Sequence, residues 1–386
     1  MVRLLHTALG FVLIGWLGIA QASVPALLPA SDDIVLGQSA PLSGNFKELG
    51  LAYRDGARLV FDQVNRQGGI GGHRIRLVTL DDGYVAARAQ ANTQTLIEQD
   101  KAVALFGHMF TNTVFASLPL ANAAGVAFVA PYAGNAELYA RPANPLLFMT
   151  RASYGDELDA LMRHVQAMGS TRVAMVRYDS AGGIAMQHDV EEKLQAIGLK
   201  PLGVASMRLN SLDPAVAATS LAALQPNAIV LGVSGADAVA FVRAFDRANQ
   251  HKPVQFLARS LIGGHQLVTD LGVEGRGIVI SQAAPSPFNG KTRISREYAT
   301  ALKAQSGAQS VHASYIGFEG YIAAKVMVEG LRRAGANLSR AGVVKGLASL
   351  QDWDEGDFLI NYSPNDHAGS KFVTVTVIGA GGHFIE

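Results

Sequence analysis

Thr111 and Asn112 are the first candidates for holding a small molecule. They follow Ala104-Leu105-Phe106-Gly107-His108-Met109-Phe110, a short apolar run without helical period. A second run of the same kind, Val126 to Ala130, passes into Pro131-Tyr132-Ala133-Gly134. Such runs read as buried parallel strands that deliver loops at their carboxyl ends. In open α/β sheets small ligands bind outside those ends, where the first turn of the next helix offers unpaired N–H groups and partial positive charge to an anion. A hydroxyl, an amide and small residues that expose backbone suit hydrogen bonding rather than covalent chemistry.

Patterns for catalysis or metal binding fall short. The 10 histidines are scattered, with no His-Glu-x-x-His and no i, i+4 pair, so no zinc site is indicated. His108 has no acidic orienter or nucleophile beside it and reads as a hydrogen-bonded structural residue. Ser234, in Gly232-Val233-Ser234-Gly235-Ala236, misses the spacing of a nucleophile elbow and reads as a binding hydroxyl. Asn289-Gly290-Lys291-Thr292 lacks the earlier glycine of a P-loop, with Pro285 in its place, and reads as a turn. Gly69 to His73 and Gly379 to His383 lack the last glycine of a dinucleotide loop and read as hairpin-type turns. Asp81-Asp82 after a strand reads as a cap and cleft hydrogen-bonding pair before it reads as a metal site. No catalytic residue, cofactor or metal is expected.

The elements that must position these residues alternate from Ile34 onward, apolar strand with amphipathic helix, which is the signature of βαβ units on a parallel sheet. Leu49, Tyr53, Ala57, Val60, Phe61 and Val64 mark a first helix that Gly68-Gly69 ends. After Asn144-Pro145 the alternation starts afresh. Ser281 to Pro287 reads as a return crossing, and the helix from about His312 to Ala334 keeps Tyr315, Phe318 and Tyr321 in the core. Val373 to Ile378 is a late strand. The expected fold class is α/β, with two Rossmann-like lobes on parallel sheets joined by a hinge that the chain crosses several times. Residues 32–150 with 283–360 form the expected lobe 1, and 151–282 with 361–386 the expected lobe 2.

At 386 residues the chain exceeds the roughly 250–300 at which single cores stop growing, which favours two lobes. Its 32 Lys and Arg balance 31 Asp and Glu, without the basic stripe a nucleic-acid surface needs. The absence of cysteine excludes disulfides, thiol nucleophiles and lipid anchoring through an acylated cysteine. Arg3 and His6, the apolar run Ala8 to Ala20 and Ala20-Gln21-Ala22 form a cleavable export leader over 1–22, its core short of the ~20 residues that span a bilayer.

Gly37-Gln38-Ser39-Ala40-Pro41-Leu42-Ser43-Gly44, Asn65-Arg66-Gln67-Gly68-Gly69-Ile70-Gly71-Gly72, Asp81-Asp82, Gly107-His108 and Pro131 to Leu138, in this order and spacing, resemble the periplasmic leucine-isoleucine-valine-binding proteins of ABC importers. The resemblance runs through nearly the whole mature chain, more loosely in its last third. It implies the type I periplasmic binding fold, a periplasmic location, a small-molecule ligand, a membrane ABC permease as partner and a protein that acts as a monomer without nucleic acid. It also implies roles residue by residue. Thr111 stands where a family hydroxyl holds the ligand carboxylate. Ala133 and Gly134 stand in the segment that supplies backbone groups and a threonine hydroxyl, the latter lost at Gly134. Leu49 takes the place of an aromatic wall.

In the second lobe, family tyrosines fall near Gly182 and at Ser234. The family glutamate that neutralises the ligand ammonium falls at Ser260, beside Arg259. Losing a buried charge partner costs about 3–5 kcal/mol, more than a hundredfold in affinity. The expected ligand is therefore a small amino acid or a related carboxylate or amide, with one end on Thr111 and Ala133-Gly134 and the other on Ser234, Ser260 and Arg259. Arg259 as a surface or interlobe ion-pair residue is an open alternative. Two other functions remain open: a ligand-sensing receptor of the same fold, and an exported serine hydrolase using Ser234 or Ser260.

Overall fold

β1 (Ile34–Ala40) is buried along its whole length, because helices cover both faces of the sheet it anchors. The computed structural model describes residues 33–386 except 212, 264 and 306–310, so the expected leader lies outside the described residues. Lobe 1 continues through α1 (Lys47–Arg66), β2 (Ile75–Asp81), α2 (Ala86–Glu98), β3 (Ala104–Phe106), α3 (Thr111–Ala123), β4 (Ala127–Val129) and β5 (Leu147–Phe148). The five strands pair in parallel in the order β2-β1-β3-β4-β5.

The chain then crosses to lobe 2, which holds α4 (Tyr154–Ala167), β6 (Val173–Tyr178), α5 (Ala181–Ala196), β7 (Val204–Met207), α6 (Ala215–Ala223), β8 (Ala228–Gly232), α7 (Gly235–Ala248), β9 (Gln255–Ala258), α8 (His265–Leu271) and β10 (Val279–Gln282). It returns to lobe 1 for α9 (Arg293–Lys303), α10 (Tyr315–Ala334), α11 (Arg340–Ala348) and the small antiparallel strands β11 (Trp353–Asp354), β12 (Leu359–Ser363) and β13 (Asp366–Gly369). A last crossing adds β14 (Thr374–Ile378) and β15 (Phe384–Ile385), antiparallel, to the edge of a seven-stranded sheet ordered β15-β14-β10-β9-β8-β6-β7. The α/β architecture on mainly parallel sheets is the one expected.

The lobe boundary near the C-terminus differs from the expectation. Residues 361–369 pack on lobe 1, not lobe 2: Tyr362 is fully buried in the lobe 1 core and its hydroxyl donates to the Met149 carbonyl at 2.9 Å. His367 stacks on Phe148 at 4.4 Å between ring centroids. The β12–β13 hairpin covers the otherwise open edge strand β5, which the alternation of the sequence does not announce.

The lobe 1 core is built around α1 and α10. The stripe read from the sequence is buried on α1, while α10 is buried on nearly all sides. The two helices touch backbone to backbone, since a Cβ on Gly56 would fall 1.9 Å from the Gly317 carbonyl oxygen. Tyr315, Phe318 and Tyr321 are core residues, 6, 0 and 2% exposed. At the other crossing, Ser153 and Asp156 form a reciprocal capping box that starts α4 at Tyr154.

Candidate functional site

α3 begins at Thr111, so Thr111 and Asn112 are its first two residues, at the carboxyl end of β3. The chain enters that helix through Phe110, held at φ +69°, a left-handed conformation that bulky residues rarely adopt. Phe110 is fixed there by aromatic contacts with Phe46 at 4.9 Å and Tyr84 at 5.2 Å, and by its N–H donating to the Tyr132 carbonyl at 2.9 Å. Backbone strain of this kind persists only where neighbours over-determine it. Asp81 and Asp82 brace the same corner: Asp81 accepts from the Leu42 N–H and the Ser43 hydroxyl, and Asp82 from the Ser39 hydroxyl and the Tyr84 N–H. No group of three or more His, Cys, Asp or Glu able to hold a metal occurs among the described residues.

Gly134 lies at the carboxyl end of β4, and the structure explains why no side chain stands there. A Cβ at Gly134 would approach Tyr154 Cδ1 to 2.4 Å, while the Gly134 carbonyl accepts from the Tyr154 N–H at 2.7 Å. Tyr154 in turn carries the Arg259 guanidinium over its ring, 4.0 Å from the centroid. Gly134, Tyr154 and Arg259 therefore form one contact chain from lobe 1 to lobe 2. Arg259 is half-buried and its Nη2 donates to Met186 Sδ at 3.1 Å, but it has no ion-pair partner among the described residues. Asp189 feels its field and is raised mainly by desolvation.

The other candidates fall differently. Leu49 is 1% exposed inside the lobe 1 core, so it offers no wall to the cleft, while Phe46 a turn earlier lies against Tyr84 and Phe110. Ala133 is fully buried in a packed cluster of lobe 1. Gly182 is exposed on the first turn of α5. Ser234 precedes α7, and its backbone exchanges hydrogen bonds with the Tyr178 hydroxyl at 3.0 and 3.2 Å. Tyr178, at the end of β6, thus places a ring at the lobe 2 face where Gly182 has none. Across the cleft, Asn45 clasps lobe 2: its Oδ1 accepts from the Ala236 N–H at 3.2 Å and its Nδ2 donates to Asp237 at 3.5 Å.

Ser260 sits in a buried ionic knot that sequence reasoning missed. Its N–H and hydroxyl both donate to Glu157, at 2.9 and 3.1 Å. Arg151, on the first crossing, donates through Nη2 to Glu157 on lobe 2 and through Nε to Glu319 on lobe 1, each at 3.0 Å. Its guanidinium also covers the Tyr132 ring at 4.6 Å and reaches the Ser260 hydroxyl. Burial works against the Arg151 charge, but Glu319 and Glu157 outweigh it and hold its pKa well above the ordinary value. Burial pushes the Glu319 carboxyl up to about 7, with Arg151 acting against the rise. The signal was present in sequence: Glu157 and Glu319 are carboxylates on the apolar faces of helices, a costly placement unless a cation meets them.

His108 is fully buried, pushed down to about 3 by that burial, and shares a hydrogen bond of 3.1 Å with Thr93. It is a neutral structural residue.

Two α/β lobes thus face each other across strand ends, joined by several crossings of the chain. The family model for periplasmic binding proteins matches residues 33–383. The chain belongs to the periplasmic binding protein family. An amino acid binding protein of Pseudomonas aeruginosa is 27% identical over 187 residues, 48% of this chain and 50% of the relative, so that match spans about half its length. Leu/Ile/Val-binding protein homolog 8 of Brucella suis is 23% identical over 379 residues, covering 94% and 91% of the two chains. A substrate-binding periplasmic protein from Ralstonia solanacearum superposes with a TM-score of 0.83 at 32% identity, over 92% of this chain and 99% of that one. The matched relatives are solute-binding proteins, and this chain is a periplasmic binding protein like them. Its Ser260 hydroxyl faces Glu157 and Arg151, an arrangement without a histidine base.

Proposed function

We propose that this periplasmic binding protein captures a small carboxylate, an amino acid or a related acid or amide, between its lobes and delivers it unchanged to a membrane ABC permease. The leader over 1–22 directs export to the periplasm, where the protein works as a monomer. Thr111, Asn112 and the backbone of Ala133-Gly134 hold one end of the ligand; Ser234, Arg259 and Ser260 meet the other, near Gly182. Closure is favoured only by the contacts that the ligand makes better in the closed state than in the open one.

The observation that carries this reading is the Arg259 cation at the cleft, half-buried and without an ion-pair partner among the described residues. A carboxylate on the ligand can pair with it, whereas Glu157 beside Ser260 is already held by Arg151, the Ser260 N–H and hydroxyl and the Ser281 hydroxyl. Isothermal titration of the mature protein against amino acids and organic acids is the test. Micromolar binding, about −8 kcal/mol, that weakens in Arg259→Ala supports the reading. Tight leucine binding that is indifferent to Arg259→Ala overturns it.

A further inference from the structure

A cavity of about 860 Å³ opens beside Ser260, the one residue it shares with those assigned to the cleft. It lies at the carboxyl ends of β9 and β10, where Ser260 and Gln282 reach its floor, and faces the N-terminal turn of α10 across the lobes. Carboxyl ends of strands are where open α/β sheets take ligands, and the volume falls within the ~300–1,000 Å³ of small-molecule sites. Where the cavity meets Ser260 it borders the Arg151 knot, since Ser260 is bonded to Glu157 and Arg151. Thr111, Gly134, Ser234 and Arg259 do not line it.

Its walls are apolar and unfilled. Val268, Val273, Phe288, Tyr315, Ile316 and Phe384 face it, and Val273 and Phe288 are 92 and 49% exposed, unusual for residues of that type. The turn Gly379-Ala380-Gly381-Gly382 forms one side with almost no side chain to fill the space. The charge is one-sided. Among its lining residues no Asp or Glu occurs, while Arg276, His312 and His383 stand around it. The adjacent carboxylate, Glu386, is taken up by Asn289, Lys291 and the Tyr315 hydroxyl. The N-terminus of α10 adds positive partial charge on the same side.

We propose that this cavity is a second binding site, separate from the central cleft, for an organic acid with an apolar body, aliphatic or aromatic. The apolar walls take the body and the Arg276 side takes the carboxylate. A neutral molecule of the same shape gains only the first of these contacts. A zwitterion brings its ammonium to walls that offer no carboxylate among the described lining residues.

Calorimetry with octanoate and benzoate as acids, and octanamide as the neutral counterpart, tests the site. Ala313→Trp, at a half-buried lining position before α10, fills the cavity and Arg276→Gln removes its exposed cation. The expected result is saturable octanoate binding that Ala313→Trp weakens by about tenfold or more, that Arg276→Gln weakens a few-fold, and that Arg259→Ala leaves unchanged, with octanamide weaker than octanoate by about tenfold. Octanamide binding as tightly as octanoate overturns the proposal, as does an unaltered affinity in Ala313→Trp with an unchanged melting temperature. Octanoate binding lost in Arg259→Ala and kept in Ala313→Trp also overturns it, while leaving the central-cleft reading intact. Absence of binding by any acid at millimolar concentration removes both.

Discussion

The central cleft and the cavity beside Ser260 are neighbours built by opposite rules. In the cleft, side chains fill the space between the lobes: Tyr84 meets Phe46 and Phe110 edge to face, Tyr178 is bonded to Ser234, and Asn45 reaches across to Ala236 and Asp237. In the cavity, glycines and exposed apolar side chains leave the space open. The difference teaches that the cleft must move to admit a guest, whereas the cavity need not. It also teaches that the Arg151 knot, in which Arg151 Nη1 and Glu319 Oε1 are buried without partners among the described residues, borders both a region of interlobe polar contacts and a region of open apolar surface.

Removing the cation of the knot is expected to have the largest effect. Arg151→Ala leaves Glu157 and Glu319 buried without their cation and should destabilise the fold by about 3–5 kcal/mol in urea denaturation. A loss below about 1 kcal/mol would mean that the two carboxylates find water instead. Next in size, Arg259→Ala should weaken binding of a cleft carboxylate by about tenfold or more in calorimetry, without changing the melting temperature. An equal loss for a neutral analogue would show that Arg259 acts by packing on Tyr154 rather than by charge.

Glu319 sharpens the comparison through pH. Its carboxyl rises from 4.5 to about 7 because burial disfavours the charged form. The folded state therefore holds this proton more tightly than the unfolded chain does. The resulting stabilisation is fully present below about 4.5 and is lost as pH rises through about 7. Melting curves of the native protein and Glu319→Gln should accordingly differ in slope across that window and run parallel outside it. Identical slopes would place the proton elsewhere. The smallest effect is expected for Asn45→Ala, which removes the interlobe clasp at a cost of about 1 kcal/mol. Its signature is a larger radius of gyration of the free protein in solution scattering, with a nearly unchanged melting temperature.

The fold was legible where period and punctuation agree. The α1 stripe, the β3 and β4 runs and the core role of Tyr315, Phe318 and Tyr321 follow from spacing alone, because burial of one face leaves a repeating mark. The β12–β13 hairpin was not legible, since its reason is a tertiary one, the cover it gives to β5. The site was legible only in part. Strand ends pointed to Thr111 and Gly134, but the partners of Ser260 are Glu157 on α4 and Arg151 on the crossing, 103 and 109 residues away in sequence. A lone carboxylate on an apolar helix face announces that a cation must meet it without saying which one.

Tyr154 is the first residue after the crossing into lobe 2, with its ring against Gly134 on one side and under Arg259 on the other. One phenol plate is thus the shared wall of both jaws. A guest that presses on the lobe 1 loop displaces the same surface on which the lobe 2 cation rests, so the two halves of the recognition surface cannot be tuned independently by evolution or by design.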